Sequence, residues 1–173
     1  SKDPEFKQYK LPWLRPQIKV VHEAVMEELE LIRTEQNQIE GKDVYEVSIP
    51  ISFSGPKNIL EIHVPSAEII GKNQTLMQQE LVFGKKVDSE IANYKEPYPD
   101  LYAAVAEKIT ELWFDQAFFK KGFFHADLHA GNMLMKVTDD RVQVNLLDFG
   151  MAGHLNQQQR DSVLLLALGI KLD

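Results

Sequence analysis

One hairpin set between two polar motifs constrains this chain more than any other feature. Met133 to Val137 and Val142 to Leu147 are short apolar runs on either side of Thr138-Asp139-Asp140-Arg141, and such a pair reads as two antiparallel strands joined by a turn. Before it stands Phe123-Phe124-His125-Ala126-Asp127-Leu128-His129-Ala130-Gly131-Asn132; after it stands Leu147-Asp148-Phe149-Gly150. Asp-Phe-Gly alone is common by chance and is usually a turn. An Asp with an Asn five residues on is commoner still. Both in this order around one short hairpin, with His125 two residues before Asp127, are not expected by chance.

Hydrophobic periodicity supplies the frame. Arg15-Pro16 can open a helix, and Ile18, Val21, Val25, Leu29 and Ile32 recur on one helical face. Glu28 and Glu35 fall on or beside that stripe, either as solvated flank charges or as carboxylates held inward for a cationic partner. Tyr45, Val47, Ile49, Ile51 and Phe53 alternate with polar residues or Pro50. That is a half-buried strand, and Pro50 places it at a sheet edge because proline has no N–H to donate. Ser54-Gly55-Pro56-Lys57 is a turn, and Leu60, Ile62 and Val64 complete a hairpin. A further strand is expected from Thr75 to Val82, ending at Gly84. Asp100 is placed to N-cap a long helix from Leu101 to about Phe119, with Val105, Ile109, Leu112 and Phe119 facing a core and Gly122 just past its end. Asn156 with Gln159 is a capping box opening a last apolar helix. The expected architecture is α+β, with two lobes joined near Glu80 to Gly84 and a ligand cleft between them.

Composition narrows the function classes. With 173 residues, 44% hydrophobic and 26% charged, the chain is large enough to bury a core as one globular unit. A net charge of -7 offers no basic stripe for a phosphate backbone, so no nucleic-acid partner is expected, and a nucleotide would need metal ions. There is no cysteine, hence no thiolate metal site and no thiol nucleophile, which fits a reducing compartment. The longest apolar run, Val163 to Ile170, is less than half the roughly 20 residues of a membrane-spanning helix, so no transmembrane segment is expected. Nothing at the start resembles a signal peptide. Ser1 to Phe6 reads like residue left by a cloning vector, and the true beginning of the protein is expected to lie elsewhere.

Phosphoryl transfer asks a protein mainly for positioning and charge neutralisation. Asp127 and Asn132, spaced D-x-x-x-x-N in a loop, match the catalytic loop of protein kinases, in which the Asp orients the attacking hydroxyl or water and the Asn amide oxygen ligates magnesium. Asp148 would bridge magnesium to the β- and γ-phosphates; hard oxygen donors suit this ion. His125-x-Asp127-x-His129 can also be read as a transition-metal cluster. In a catalytic loop, His125 is instead a scaffold histidine and His129 a loop residue near phosphate.

These segments resemble the UbiB family, the ADCK-like atypical kinases and ATPases tied to ubiquinone biosynthesis. Glu27-Glu28-Leu29-Glu30-Leu31-Ile32-Arg33-Thr34-Glu35 is similar to the family's Glu-Leu-Asp-Leu-Arg-x-Glu helix, in the place of the kinase C-helix. Leu76-Met77-Gln78-Gln79-Glu80-Leu81-Val82-Phe83-Gly84 is similar to its strand and interlobe hinge. The resemblance runs from about residue 16 to the end. It implies a protein-kinase-like, incomplete two-lobe fold: residues 7–84 a partial N-lobe with hinge, and 85–173 a partial C-lobe. It implies Mg2+ and ATP as cofactors, with Asp127 and Asn132 catalytic, Asn132 and Asp148 on the metal, and Glu35, Glu80, Val82 and His129 around the nucleotide. Glu35 would pair with the phosphate-binding lysine; in the neighbouring register Thr34 takes its place. Residues 44–62 exceed the family's usual link. The lysine, the Ala-rich loop and the Lys-x-Gly-Gln segment that should precede the first helix are absent here, so the chain is expected to be an excised piece or a remnant that has lost catalysis.

The resemblance implies a fragment that binds ATP or ADP, whose intact form supports ubiquinone or lipid metabolism with lipid or quinone-biosynthesis partners. Its place would be the bacterial cytoplasm or membrane surface, or a mitochondrion or plastid. The rivals are a catalytically inactive pseudokinase or interaction module, and a small-molecule phosphotransferase of the aminoglycoside or choline kinase type. Ala126 and Gly150 depart from that last type.

Overall fold

Alternating burial along short strands builds the sheet that carries the candidate site. The computed structural model describes residues 19–20, 30–55, 59–71, 76–138 and 140–172. Strand β1 (Val47–Pro50) pairs antiparallel with β2 (Ile59–His63), Ser48 facing Glu61 and Pro50 facing Ile59. A two-stranded sheet joins β3 (Ala67–Ile70) to β4 (Leu76–Gln79). Then follow β5 (Lys85–Lys86), β6 (Phe123–His125), β7 (Met133–Val137), β8 (Val142–Leu146) and β9 (Ala152–His154). The larger sheet has the order β1-β2-β8-β7-β5, and β6 pairs with β9. Pro50 thus lies on an edge strand, where its missing N–H leaves no ladder bond unmade.

The hairpin that the residue pattern anticipates is β7–β8, with Met133 opposite Leu146 and Val137 opposite Val142. Beside it β2 runs parallel to β8, so a segment about 80 residues upstream extends the sheet. Leu60, Ile62, Met135, Val142 and Val144 are fully buried and share one core with Leu101, Val105 and Ile109. Burial of such side chains stabilises by about 1.5–3 kcal/mol each relative to exposure.

Helix α1 (Leu31–Tyr45) departs from the apolar stripe. Of that stripe, Ile18, Val21, Val25 and Leu29 lie outside the described residues, as does Glu28, while Ile32 is 45% exposed. The buried face is instead Thr34, Gln38, Gly41, Val44 and Tyr45. Polar side chains can face inward here because they are bonded: Gln38 Nε2 donates to Pro65 O at 2.6 Å, and Gln79 Nε2 donates to Gln38 Oε1 at 2.6 Å. Tyr45 closes this helix and does not open β1.

Short helix α2 (Val87–Ala92) leads to α3 (Leu101–Phe114), which continues as a π-helical turn, Asp115–Phe119. The Asp100 side chain makes no capping bond with its own helix; its carboxylate accepts from the N–H and hydroxyl of Ser54, at 2.9 and 2.5 Å, and ties α3 to the end of the first hairpin. Those bonds hold its pKa below the usual carboxylate range. Phe119 is 66% exposed, because the π turn rotates it away from the face set by Val105 and Ile109. Gly122 does follow the helix, at φ +79, where an added Cβ would overlap Leu155 O. The strand expected over Thr75 to Val82 is confined to Leu76–Gln79, with Thr75 outside the described residues. The capping box is present: Gln159 N donates to Asn156 Oδ1 and Asn156 N to Gln159 Oε1, both at 2.9 Å, at the start of α4 (Gln157–Leu172). No helix among the described residues is long and apolar enough to cross a membrane.

Candidate functional site

The two polar motifs meet because two strand pairings hold them at one place. The β7–β8 hairpin returns the chain after Asn132 to Asp148, and Leu147 N donates to Asn132 O at 2.8 Å. On the other flank β6 pairs with β9, with Ala126 N donating to Met151 O at 2.9 Å. Residues before Asp127 and after Gly150 are therefore laced together as well.

Within the loop, Asn132 Nδ2 donates to the main-chain oxygen of Asp127 and to its carboxylate Oδ2, both at 3.1 Å. Both partners are acceptors only, so the amide orientation is chemically determined and the amide oxygen is the atom left for a cation. His129 is exposed and caps the 3-10 turn Ala130–Asn132, its Nδ1 accepting from Gly131 N at 2.9 Å. That bond puts the neutral ring's proton on Nε2, which stands 3.4 Å from Asp127 Oδ2. Asp148 has φ +60, the one non-glycine residue with positive φ among those described, and its Oδ1 accepts from Gly150 N at 3.3 Å. Its side chain turns outward while Phe149 is fully buried.

His125 is scaffold. Its Nδ1 accepts from Asp127 N at 3.2 Å and its Nε2 donates to Leu147 O at 3.1 Å, so one ring bridges both motifs through their backbones. It is 1% exposed and packs on Phe149 with ring centroids 4.7 Å apart. Burial lowers its pKa, against the opposing pull of the Leu147 carbonyl and the Asp148 and Asp127 charges. The main chain of His125 is held in turn by Trp113 Nε1, which donates to His125 O at 2.9 Å, and by the Tyr45 hydroxyl, which accepts from His125 N at 3.3 Å. Burial raises the Tyr45 phenol to about 12. Among the described residues no group of three or more His, Asp or Glu is gathered as a metal site. Both His125 nitrogens are committed to the backbone, which removes the arrangement a transition-metal cluster requires.

The expected nucleotide-side residues lie elsewhere. Glu35 Oε1 accepts from Ile69 N at 2.6 Å and so braces α1 against β3. Glu80 Oε1 meets His63 Nε2 at 3.1 Å, and its Oε2 accepts from Ser66 N at 3.0 Å; the Ser66 bond is the chief cause of its lowered pKa. Val82 is half-buried after β4. Among the described residues no hydrogen bond or ion pair joins Glu35, Glu80 or Val82 to the loop cluster. A cavity of about 230 Å³ lies between α3 and the loop, lined by Val87, Tyr102, Val105, Ile109, Leu128 and His129 among others.

Three supporting residues have no motif to announce them: Asn37, whose Nδ2 donates to Phe149 O at 3.0 Å, Gly41, over which the Phe149 ring lies, and Tyr45. Only Gly41 carried a local signal, since a mid-helix glycine costs about 1 kcal/mol and marks close packing.

Comparison with known proteins identifies the family. Residues 5–172 match the model of the ABC1 atypical kinase-like domain. Proteins described as "Probable protein kinase UbiB" from Vibrio atlanticus (strain LGP32) and Vibrio vulnificus (strain CMCP6) are 30% identical to it over 151 residues, and that of Vibrio campbellii (strain ATCC BAA-1116) is 29% identical. In each case the match covers 85% of this chain and 25% of the relative, so the chain spans about a quarter of the length of the curated relatives it matches. No solved structure matches it. With an α+β fold in which the two polar motifs converge at the ends of one hairpin, the chain belongs to the UbiB family of ABC1 atypical kinase-like domains and carries part of such a domain.

Proposed function

We propose that this chain is the magnesium- and ATP-handling part of a UbiB-type atypical kinase or ATPase. The observation that carries the reading is the Asn132–Asp127 pair: the amide nitrogen is committed to Asp127, so the amide oxygen is left for a hard cation. The donor set therefore fits magnesium. Asn132 and Asp148 would hold the ion, and Asp127 would orient the attacking hydroxyl or water, with His129 beside it near phosphate. Magnesium, when bound, would neutralise charge on the phosphoryl group. The chain's own contribution is to hold Asp127 and Asn132 on one loop and Asp148 on the turn across the hairpin, tied to it by the Leu147–Asn132 backbone bond. The backbone from Glu80 to Val82 would meet adenine. In the intact protein the activity would serve ubiquinone or lipid metabolism.

A non-catalytic scaffold is the second reading. It draws on Glu35, whose Oε1 accepts from Ile69 N and which forms no ion pair with a lysine among the described residues.

The test is a thermal-shift titration with ATP or ADP, with and without magnesium, beside Asp148→Asn. Ligand at about 100 times Kd adds about 2.7 kcal/mol to the folded state. The expected result is a magnesium-dependent shift that the variant loses. No shift at millimolar nucleotide would leave the scaffold reading in its place.

A further inference from the structure

Asp148 of the Asp148-Phe149-Gly150 turn sits at φ +60, in the left-handed region that Asp enters more readily than most L-residues but less readily than glycine. Contacts from outside the turn therefore help to fix its backbone. The local restraint is slight: Gly150 N reaches Asp148 Oδ1 at a long 3.3 Å. The external restraints converge on Phe149. Its ring is fully buried between His125 and Tyr45, with centroids at 4.7 and 6.4 Å, and lies so close over Gly41 that a Cβ there would overlap it. Its carbonyl accepts from Asn37 Nδ2 at 3.0 Å. Asn37 and Gly41 are one helical turn apart on α1, so one face of this helix grips the residue after Asp148 by its ring and by its backbone.

We propose that Asn37 is the positioning residue through which α1 holds Asp148 in place for the metal. The amide donor on Phe149 O links the helix to the turn that carries Asp148, whereas Glu35 on the same helix accepts from Ile69 N. Asn37 touches neither ligand nor reacting atoms; it acts by fixing the backbone on which Asp148 is displayed. The proposal rests on the assignment of Asp148 to magnesium, but the clamp itself can be tested without any ligand.

The experiment compares three variants of this chain. Asn37→Asp keeps the shape and removes the donor, setting an acceptor against the Phe149 carbonyl; Asn37→Ala removes the group; Gln36→Ala, at an exposed position of the same helix, is the control. Amide hydrogen exchange is followed at residues 149–151 without ligand, and the magnesium concentration for half-maximal nucleotide stabilisation is then measured. Both Asn37 variants should speed exchange there roughly fivefold, the factor carried by a net hydrogen bond of about 1 kcal/mol. They should raise the magnesium requirement by a similar factor and leave any metal-free nucleotide shift unchanged, while Gln36→Ala does neither. Unchanged exchange at 149–151 in Asn37→Asp overturns the clamp. Equal changes in Gln36→Ala overturn its assignment to Asn37. If the parent chain shows no magnesium-dependent shift, the metal role of Asp148 falls and with it the positioning role, while the exchange result still decides whether the clamp exists.

Discussion

Asn132 donates its one amide group to both the main chain and the carboxylate of Asp127, five residues earlier, at 3.1 Å each. The loop is thereby closed on itself before any ligand arrives. Replacing Asn132 with Asp removes the donor and sets a second carboxylate against the first. The site is half-exposed, so the expected loss is about 1 kcal/mol of folding stability, read by urea unfolding. Adding Asp127→Asn restores a donor–acceptor pair, and a double-mutant cycle should show favourable coupling of about 0.5 kcal/mol or more.

The His125 ring is buried neutral, donating through Nε2 and accepting through Nδ1. Its folded-state pKa lies below the ordinary value of 6.5 because burial disfavours the charged form. The unfolded chain thus binds a proton first as pH falls, and the stability contributed by the neutral ring is complete above about pH 6.5 and declines below it. Melting temperatures between pH 7.5 and 5 should therefore fall more steeply for the parent chain than for His125→Asn. Equal slopes would mean that His125 does not carry the effect.

Gly41 faces the Phe149 ring. Alanine at a solvent-facing helix position would stabilise by up to about 1 kcal/mol. At this position the added methyl must displace a buried ring, and overpacking of that kind costs about 1–3 kcal/mol. Gly41→Ala is expected to be net destabilising in urea unfolding, against the propensity scale.

The Tyr45 hydroxyl accepts from His125 N and donates, at a long 3.5 Å, to Phe123 O. Tyr45→Phe leaves a buried N–H unpaired next to the catalytic-type loop. The expected cost is about 1–3 kcal/mol in the same unfolding assay, with the aromatic packing on Phe123 and Phe149 retained.

What could be read in the residues was whatever repeats locally. Period-two alternation identifies β1 and β2, apolar runs around a turn identify β7 and β8, Pro50 marks the edge strand, and Asn156 with Gln159 opens α4, because each depends on neighbours within a few positions. The spacing of Asp127, Asn132 and Asp148 around one hairpin likewise announces a shared site, since a hairpin brings its own two ends together. Local signals misled where long-range bonds prevailed. Asp100 bonds Ser54 across 46 positions instead of capping its helix, and α1 buries Gln38 instead of Ile32 because Pro65 and Gln79 satisfy the amide. Glu35 is drawn to Ile69 N, and the residue of the same helix that bonds the Phe149 carbonyl is Asn37, 112 positions away. Such contacts have no period and no motif, for they exist only when distant segments pack. The residue types and their spacing thus determined the hairpin and the meeting of the two polar motifs at its ends; the tertiary structure alone decided which helix side chain bonds the turn beyond it.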